Sequence, residues 1–166
     1  LYPRCSGLDI HKATIAACVL VAEGQTKQKH LLRCRTMTRD LLALADWLAG
    51  FGVTHVAMES TGVYWKPIWN VLEGRFEVLL INAQHFKDVP GRKTDIKDSE
   101  WIAELLQHGL LRGSFVPPTP VRDLRDLNRN RAILVQQRAT VSNRIEKVLE
   151  DANIKLDCVV SDILGL

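Results

Sequence analysis

Pro117-Pro118-Thr119-Pro120 divides this sequence in two. Three prolines in four positions cannot continue a helix or a central strand, so the chain must turn there. Beyond them no proline or glycine occurs until Gly165. The spacing predicts one long helix over Val121 to Ala152, roughly 50 Å at 1.5 Å per residue. A heptad seam runs through it at Leu124, Leu127, Arg131, Leu134, Arg138, Val141, Ile145, Val148 and Ala152. That pattern is coiled-coil-like and suits a hairpin or a dimer, with Arg131 and Arg138 interrupting it. Arg122, Arg125, Arg129, Arg144 and Lys147 lie on the remaining surface. A solvated helix face and a nucleic-acid backbone contact are both consistent with them. The organisation expected is therefore a domain over 1–116 and a long helical segment over 117–156.

Before the prolines, the pattern changes to short apolar runs separated by turns. Arg4 to Ile10, Ala13 to Val21 and Lys29 to Arg35 read as an antiparallel meander, with Glu23-Gly24-Gln25-Thr26 as a turn. A helix starting at Thr38 or Asp40 carries Leu41, Leu44, Ala45 and Leu48 and stops at Gly50. Thr54 to Met58 is a continuous apolar strand of the kind found inside a sheet. Val63 to Leu72 reads as an aromatic-rich helix, with Pro67 in its first turn and Ser60 or Thr61 available as a cap. Phe76 to Ile81 is a fifth strand. Asn82 to Asp88 reads as a short helix or turn and Val89 to Lys93 as a loop. Three strands, helix, strand, helix, strand, helices predict an α/β fold, a mixed sheet with helices on its faces.

Lys93-Thr94-Asp95-Ile96-Lys97-Asp98-Ser99-Glu100 then opens another helix, which Gly109 closes. Asp95, Asp98, Ile102, Leu105 and Gly109 fall on one stripe. Its apolar end needs a core, which places two carboxylates at the lip of that core. Thr94 or Asp95 capping the helix is one reading. A shared divalent cation is the other, because like charges at this spacing repel unless something positive lies between them. Two further acids favour the cation. Asp9 sits within an apolar strand, where an unpaired carboxylate is unfavourable. Glu59 ends the apolar fourth strand, where open sheets place ligands. If those strands are neighbours, the four acids converge. Two magnesium ions about 3.5–4 Å apart would neutralise them and serve in-line displacement at a phosphodiester.

The segments "GLDIHK", "MESTGVYW" and "GRKTDIKDSEWIAELLQHG" closely resemble the DEDD-type transposases of bacterial insertion sequences, of the insertion sequence 110 type and related to the Piv DNA invertases. The resemblance implies a ribonuclease H-like, RuvC-like catalytic domain. It implies metal-dependent DNA strand cleavage and transfer, with Asp9, Glu59, Asp95 and Asp98 both catalytic and ligands of Mg2+ or Mn2+. Ser99 departs from the alanine common after the last aspartate and leaves the acids intact. The resemblance also implies a structured guide RNA, DNA as partner, and a further domain with a serine nucleophile, of which 157–166 resembles the start. Leu1 in place of Met leads us to expect a trimmed N-terminus.

Lys12, Arg92 and Lys93 beside the acids, and Arg122, Arg125, Arg129 and Arg138 on the long helix, are the expected nucleic-acid contacts. Self-association through the long helix is expected too. Tyr64, Trp65 and Trp69 suit base stacking or core packing. A RuvC-like structure-specific nuclease and a non-catalytic nucleic-acid-binding or dimerisation module are the alternatives. An actin-like kinase half fits less well, since His11-Lys12-Ala13 replaces the small-residue hairpin that cradles phosphates. The net charge of +3 decides nothing about partners. The four cysteines lack metal-site spacing and read as buried thiols in a reducing cytoplasm. No apolar run is long enough to span a bilayer, and the resemblance implies a bacterial cytoplasmic location.

Overall fold

The computed structural model describes residues 1–24, 26–82, 98–155, 158 and 160. The chain separates into two compact units, Leu1–Val116 and Pro117–Leu166. In the first, β1 (Arg4–Ile10), β2 (Thr14–Glu23) and β3 (Thr26–Arg35) form the meander. Then come α1 (Thr38–Gly50), β4 (His55–Glu59), α2 (Trp65–Leu72), β5 (Glu77–Ile81) and α3 (Asp98–Gln107). The sheet order is β3-β2-β1-β4-β5. β1 runs antiparallel to β2 and parallel to β4, and β4 runs parallel to β5. This is the expected mixed sheet. The expected strands for β2 and β3 fall short at the hairpin end, where the ladder continues to Glu23 opposite Thr26.

Strand alternation assigns the two faces. Leu8, Ile10, Val56 and Met58 join Leu44, Leu48, Ile68 and Leu72 in one core, so α1 and α2 cover that face. Cys5, Cys18, Ala57 and Ile81 join Ile102, Ala103, Leu105 and Leu106 in the other, so α3 covers the opposite face. Trp69 is buried and meets the half-buried Trp65 edge to face at 6.0 Å, which is core packing. Tyr64 precedes the helix and remains exposed.

Several local expectations need correction. Neither Ser60 nor Thr61 caps α2; the cap position is Tyr64, without a side-chain hydrogen bond. Helix α1 does end at Gly50, as expected, and the left-handed turn after it falls on Gly52, with φ +66°. The thiols are free but not uniformly buried: Cys5 and Cys18 are buried, Cys34 half-buried and Cys158 exposed. The expected turn over Asn82 to Asp88 and the loop over Val89 to Lys93 lie, apart from Asn82, outside the described residues.

The second unit contains α4 (Thr119–Asp151), with Pro120 in its first turn, where no amide partner is needed. None of its residues is buried. Among the described residues no helix is long and apolar enough to cross a membrane.

Candidate active site

Gly7 brings α3 onto the sheet. It lies mid-strand in β1, paired with Cys18 on one side and Ala57 on the other. A β-carbon there would collide with the Ser99 carbonyl oxygen and the Ala103 amide nitrogen, and would meet the Ile102 carbonyl carbon at 3.0 Å. The helix backbone therefore rests directly on the strand, which only glycine permits. Asp98 is the first described residue of α3, so this contact carries that carboxylate to the sheet. The expected stripe holds within the described residues: Ile102 and Leu105 are buried, and Gly109 adopts φ +69° after the helix.

Asp9 lies two residues beyond Gly7 and so projects onto the same face. Glu59 lies two beyond Ala57 and projects there as well. The β1–β4 register runs from Cys5 with His55 to Leu8 with Met58; Asp9 and Glu59 each lie one residue past its last pair. Adjacent strands are about 4.8 Å apart. Two acids therefore stand at the C-terminal ends of neighbouring parallel strands, on the face that α3 covers. Asp9 retains only 7% of its accessible surface, whereas Glu59 and Asp98 are half-buried. His11, after the strand, places Nε2 3.2 Å from the Asp9 carboxylate. The His11 amide donates to the Thr14 carbonyl at 2.9 Å, closing the turn that leaves Lys12 exposed.

Among the described residues no three His, Cys, Asp or Glu side chains gather closely enough to hold a metal ion. Asp95, Arg92 and Lys93 lie outside the described residues. The donors that are described are all carboxylate oxygens, one of them buried in an apolar face. That set suits a hard divalent cation such as magnesium and does not suit zinc, which prefers nitrogen and sulfur.

Asp9 and Ser99 also border a cavity of about 350 Å³ that opens toward Ala16, Leu31 and Arg33. Sequence reading missed Ser99 and Arg33 as residues of this neighbourhood. The alternation Lys27, Lys29, Leu31, Arg33, Arg35 along β3 was the available signal, since it puts all five on one face. Lys29 is committed elsewhere, to Glu100 at 2.6 Å. On α4, Arg122 donates to the Pro117 carbonyl and to Thr119 Oγ1, both at 3.0 Å, and so braces the helix start. Arg125, Arg129 and Arg138 are exposed.

A family model for transposases, of the DEDD insertion sequence 110 type, matches residues 6–154. No curated protein matches the sequence. Among solved structures, RuvC of Thermus thermophilus aligns with a TM-score of 0.48 at 14% identity, covering 67% of this chain and 99% of that one. Fowlpox virus resolvase, in complex with Holliday junction DNA, aligns with a TM-score of 0.46 at 12% identity, over 64% of this chain and 99% of that one. A Ppx/GppA family member of Aquifex aeolicus gives a TM-score of 0.37 at 10% identity, over 50% of this chain and 36% of that one.

Proposed function

The chain belongs to the DEDD transposase family of the insertion sequence 110 type, and on that premise we propose that its first unit is the metal-dependent DNA strand-cleavage and strand-transfer domain of a transposase. One observation carries the proposal: Asp9 and Glu59 each lie one residue past the last pair of adjacent parallel strands, on the sheet face that α3, with Asp98 as its first described residue, covers. Asp9, Glu59 and Asp98, with Asp95 as the fourth acid, are the residues that would hold Mg2+ or Mn2+. A divalent cation held by these acids would supply Lewis-acid activation of the attacking oxygen and stabilisation of the leaving oxygen. The chain's own part is positional. The sheet fixes Asp9 and Glu59, the packing of α3 on Gly7 fixes Asp98, and His11 orients the Asp9 carboxylate.

DNA is the substrate in this reading. A structured RNA directs it, and the exposed arginines of α4, Arg125, Arg129 and Arg138, give that nucleic acid a sequence-independent phosphate contact. The α4 seam associates with the same seam of a second copy. Large apolar side chains on it, among them Leu127 at 66% and Leu134 at 64% exposure, contribute on the order of 1.5–3 kcal/mol each when fully buried.

Manganese titration followed by calorimetry tests the metal site. The wild-type chain is expected to bind, and Asp9→Asn and Asp98→Asn to lose the isotherm. Asp98→Asn is expected to leave metal-free stability unchanged or raised, because it relieves repulsion among the acids. An unaltered isotherm in both variants, or a clear loss of metal-free stability in Asp98→Asn, refutes the assignment.

A further inference from the structure

The row of residues that contains Asp9 and Glu59 extends across the sheet in the other direction. Asp9 pairs with Ala16 on β2, and Ala16 pairs with Arg33 on β3. All three positions face the side covered by α3. Arg33 and Asp9 are thus two strand spacings apart, about 9.5 Å between backbones, with only the methyl group of Ala16 between them. That small side chain leaves the cavity of about 350 Å³ that Asp9, Ser99, Arg33 and the 56%-exposed Leu31 line. Arg33 is exposed, and among the described residues it forms no ion pair. Lysines and arginines on an edge strand also deter edge-to-edge pairing. That role requires charge on the strand but not a cavity shared with a buried carboxylate.

We infer that Arg33 is a positioning residue for DNA, holding a backbone phosphate in the gap over Ala16 while the neighbouring phosphodiester lies at Asp9. A guanidinium suits the task because its planar fork donates two parallel hydrogen bonds to phosphate oxygens and its charge is permanent. The gap over Ala16 gives the phosphate room. The inference rests on the reading of Asp9 as an active-site acid.

The test measures binding of the full chain to a fluorescein-labelled random-sequence DNA duplex in calcium buffer, over a range of salt. One lost phosphate contact lowers the slope of log affinity against log salt by about 0.9. Over a fourfold rise in salt, Arg33→Gln is therefore expected to lose about 3.5-fold less affinity than the parent. Arg33→Lys is expected to restore the slope. Arg39→Gln, which removes the same charge from α1, is expected to leave it unchanged. Ala16→Leu fills the gap and is expected to weaken binding with Arg33 intact.

Parallel slopes for Arg33→Gln and Arg39→Gln overturn the inference. So does a slope lost on an RNA hairpin and kept on DNA. The manganese isotherm of Asp9→Asn separates the two readings. If Asp9→Asn binds metal normally while Arg33→Gln loses slope, the assignment of the acids fails and the phosphate contact stands. If Asp9→Asn loses metal while Arg33→Gln keeps its slope, the contact alone fails.

Discussion

Replacing Gly7 by alanine sets two effects against each other. Gly7 lies in a regular strand and is not among the glycines with positive φ. By backbone entropy alone, alanine would stabilise the fold by about 0.4–1 kcal/mol. The added methyl, however, overlaps Ser99 and Ala103 backbone atoms and stands 3.0 Å from the Ile102 carbonyl carbon. Comfortable carbon contacts lie at 3.5–4.0 Å, so α3 must withdraw by on the order of an ångström. No rotamer change relieves this, because the obstructing atoms are backbone. Overpacking of this kind costs about 1–3 kcal/mol, which exceeds the entropic gain. A net loss of about 1–2 kcal/mol is expected, or about 4–8 °C in melting temperature for a unit of this size. Urea titration and thermal melts measure it. Because α3 carries Asp98, manganese affinity is expected to fall as well, at temperatures where the variant is fully folded. A Gly7→Ala protein as stable as the parent, with an unchanged metal isotherm, would refute both the packing argument and its link to the site.

Burial pushes the Cys5 thiol from 9.0 up to about 11 and the Cys18 thiol up to about 12. The folded state keeps these protons where the unfolded chain releases them. Their contribution is therefore full below pH 9.0 and declines as pH rises through about 11 and 12. Cys18→Val is expected to flatten that alkaline decline in urea melts, and an equally steep decline would count against it. A hydrogen bond to Glu100 holds the Lys29 ammonium above its ordinary 10.5, an effect likewise present at neutral pH and lost only in alkali. The pair is partly exposed, so Lys29→Met should cost only about 0.5 kcal/mol in a chemical melt; a cost several times larger would mean that the pair anchors α3 to β3. Leu134→Asp should lower the mass measured by light scattering at micromolar concentration, and a parent that is already monomeric would rule out the α4 dimer.

Local chemistry made much of this architecture legible. Apolar alternation and turn residues marked β1, β4 and β5 to within a residue or two. The proline run and the glycine-free stretch after it announced α4. The stripe through Ile102 and Leu105 announced the buried side of α3. These signals are local because each depends only on the period of a strand or helix and on the residues that break it. Helix ends were less legible. The cap of α2 is Tyr64 rather than Ser60 or Thr61, and the left-handed turn after α1 falls on Gly52, just before the buried Val53.

What composition and period cannot encode is which strands become neighbours and at what register. Asp9 stands out in sequence as an acid within an apolar strand, and Glu59 as an acid at a strand end. Only the parallel pairing of β1 with β4 brings the two strand ends that carry them together. Gly7 is merely a glycine in a strand until α3 settles on it and delivers Asp98. Arg33 is one cation among several on an edge strand until Ala16 leaves the gap between it and Asp9. The sequence by itself determined the elements and the chemical character of the acids, because periodicity and residue type are properties of neighbours along the chain. The tertiary structure alone decided their juxtaposition, because register is chosen by burying both faces of the sheet at once, a condition that joins residues far apart in sequence.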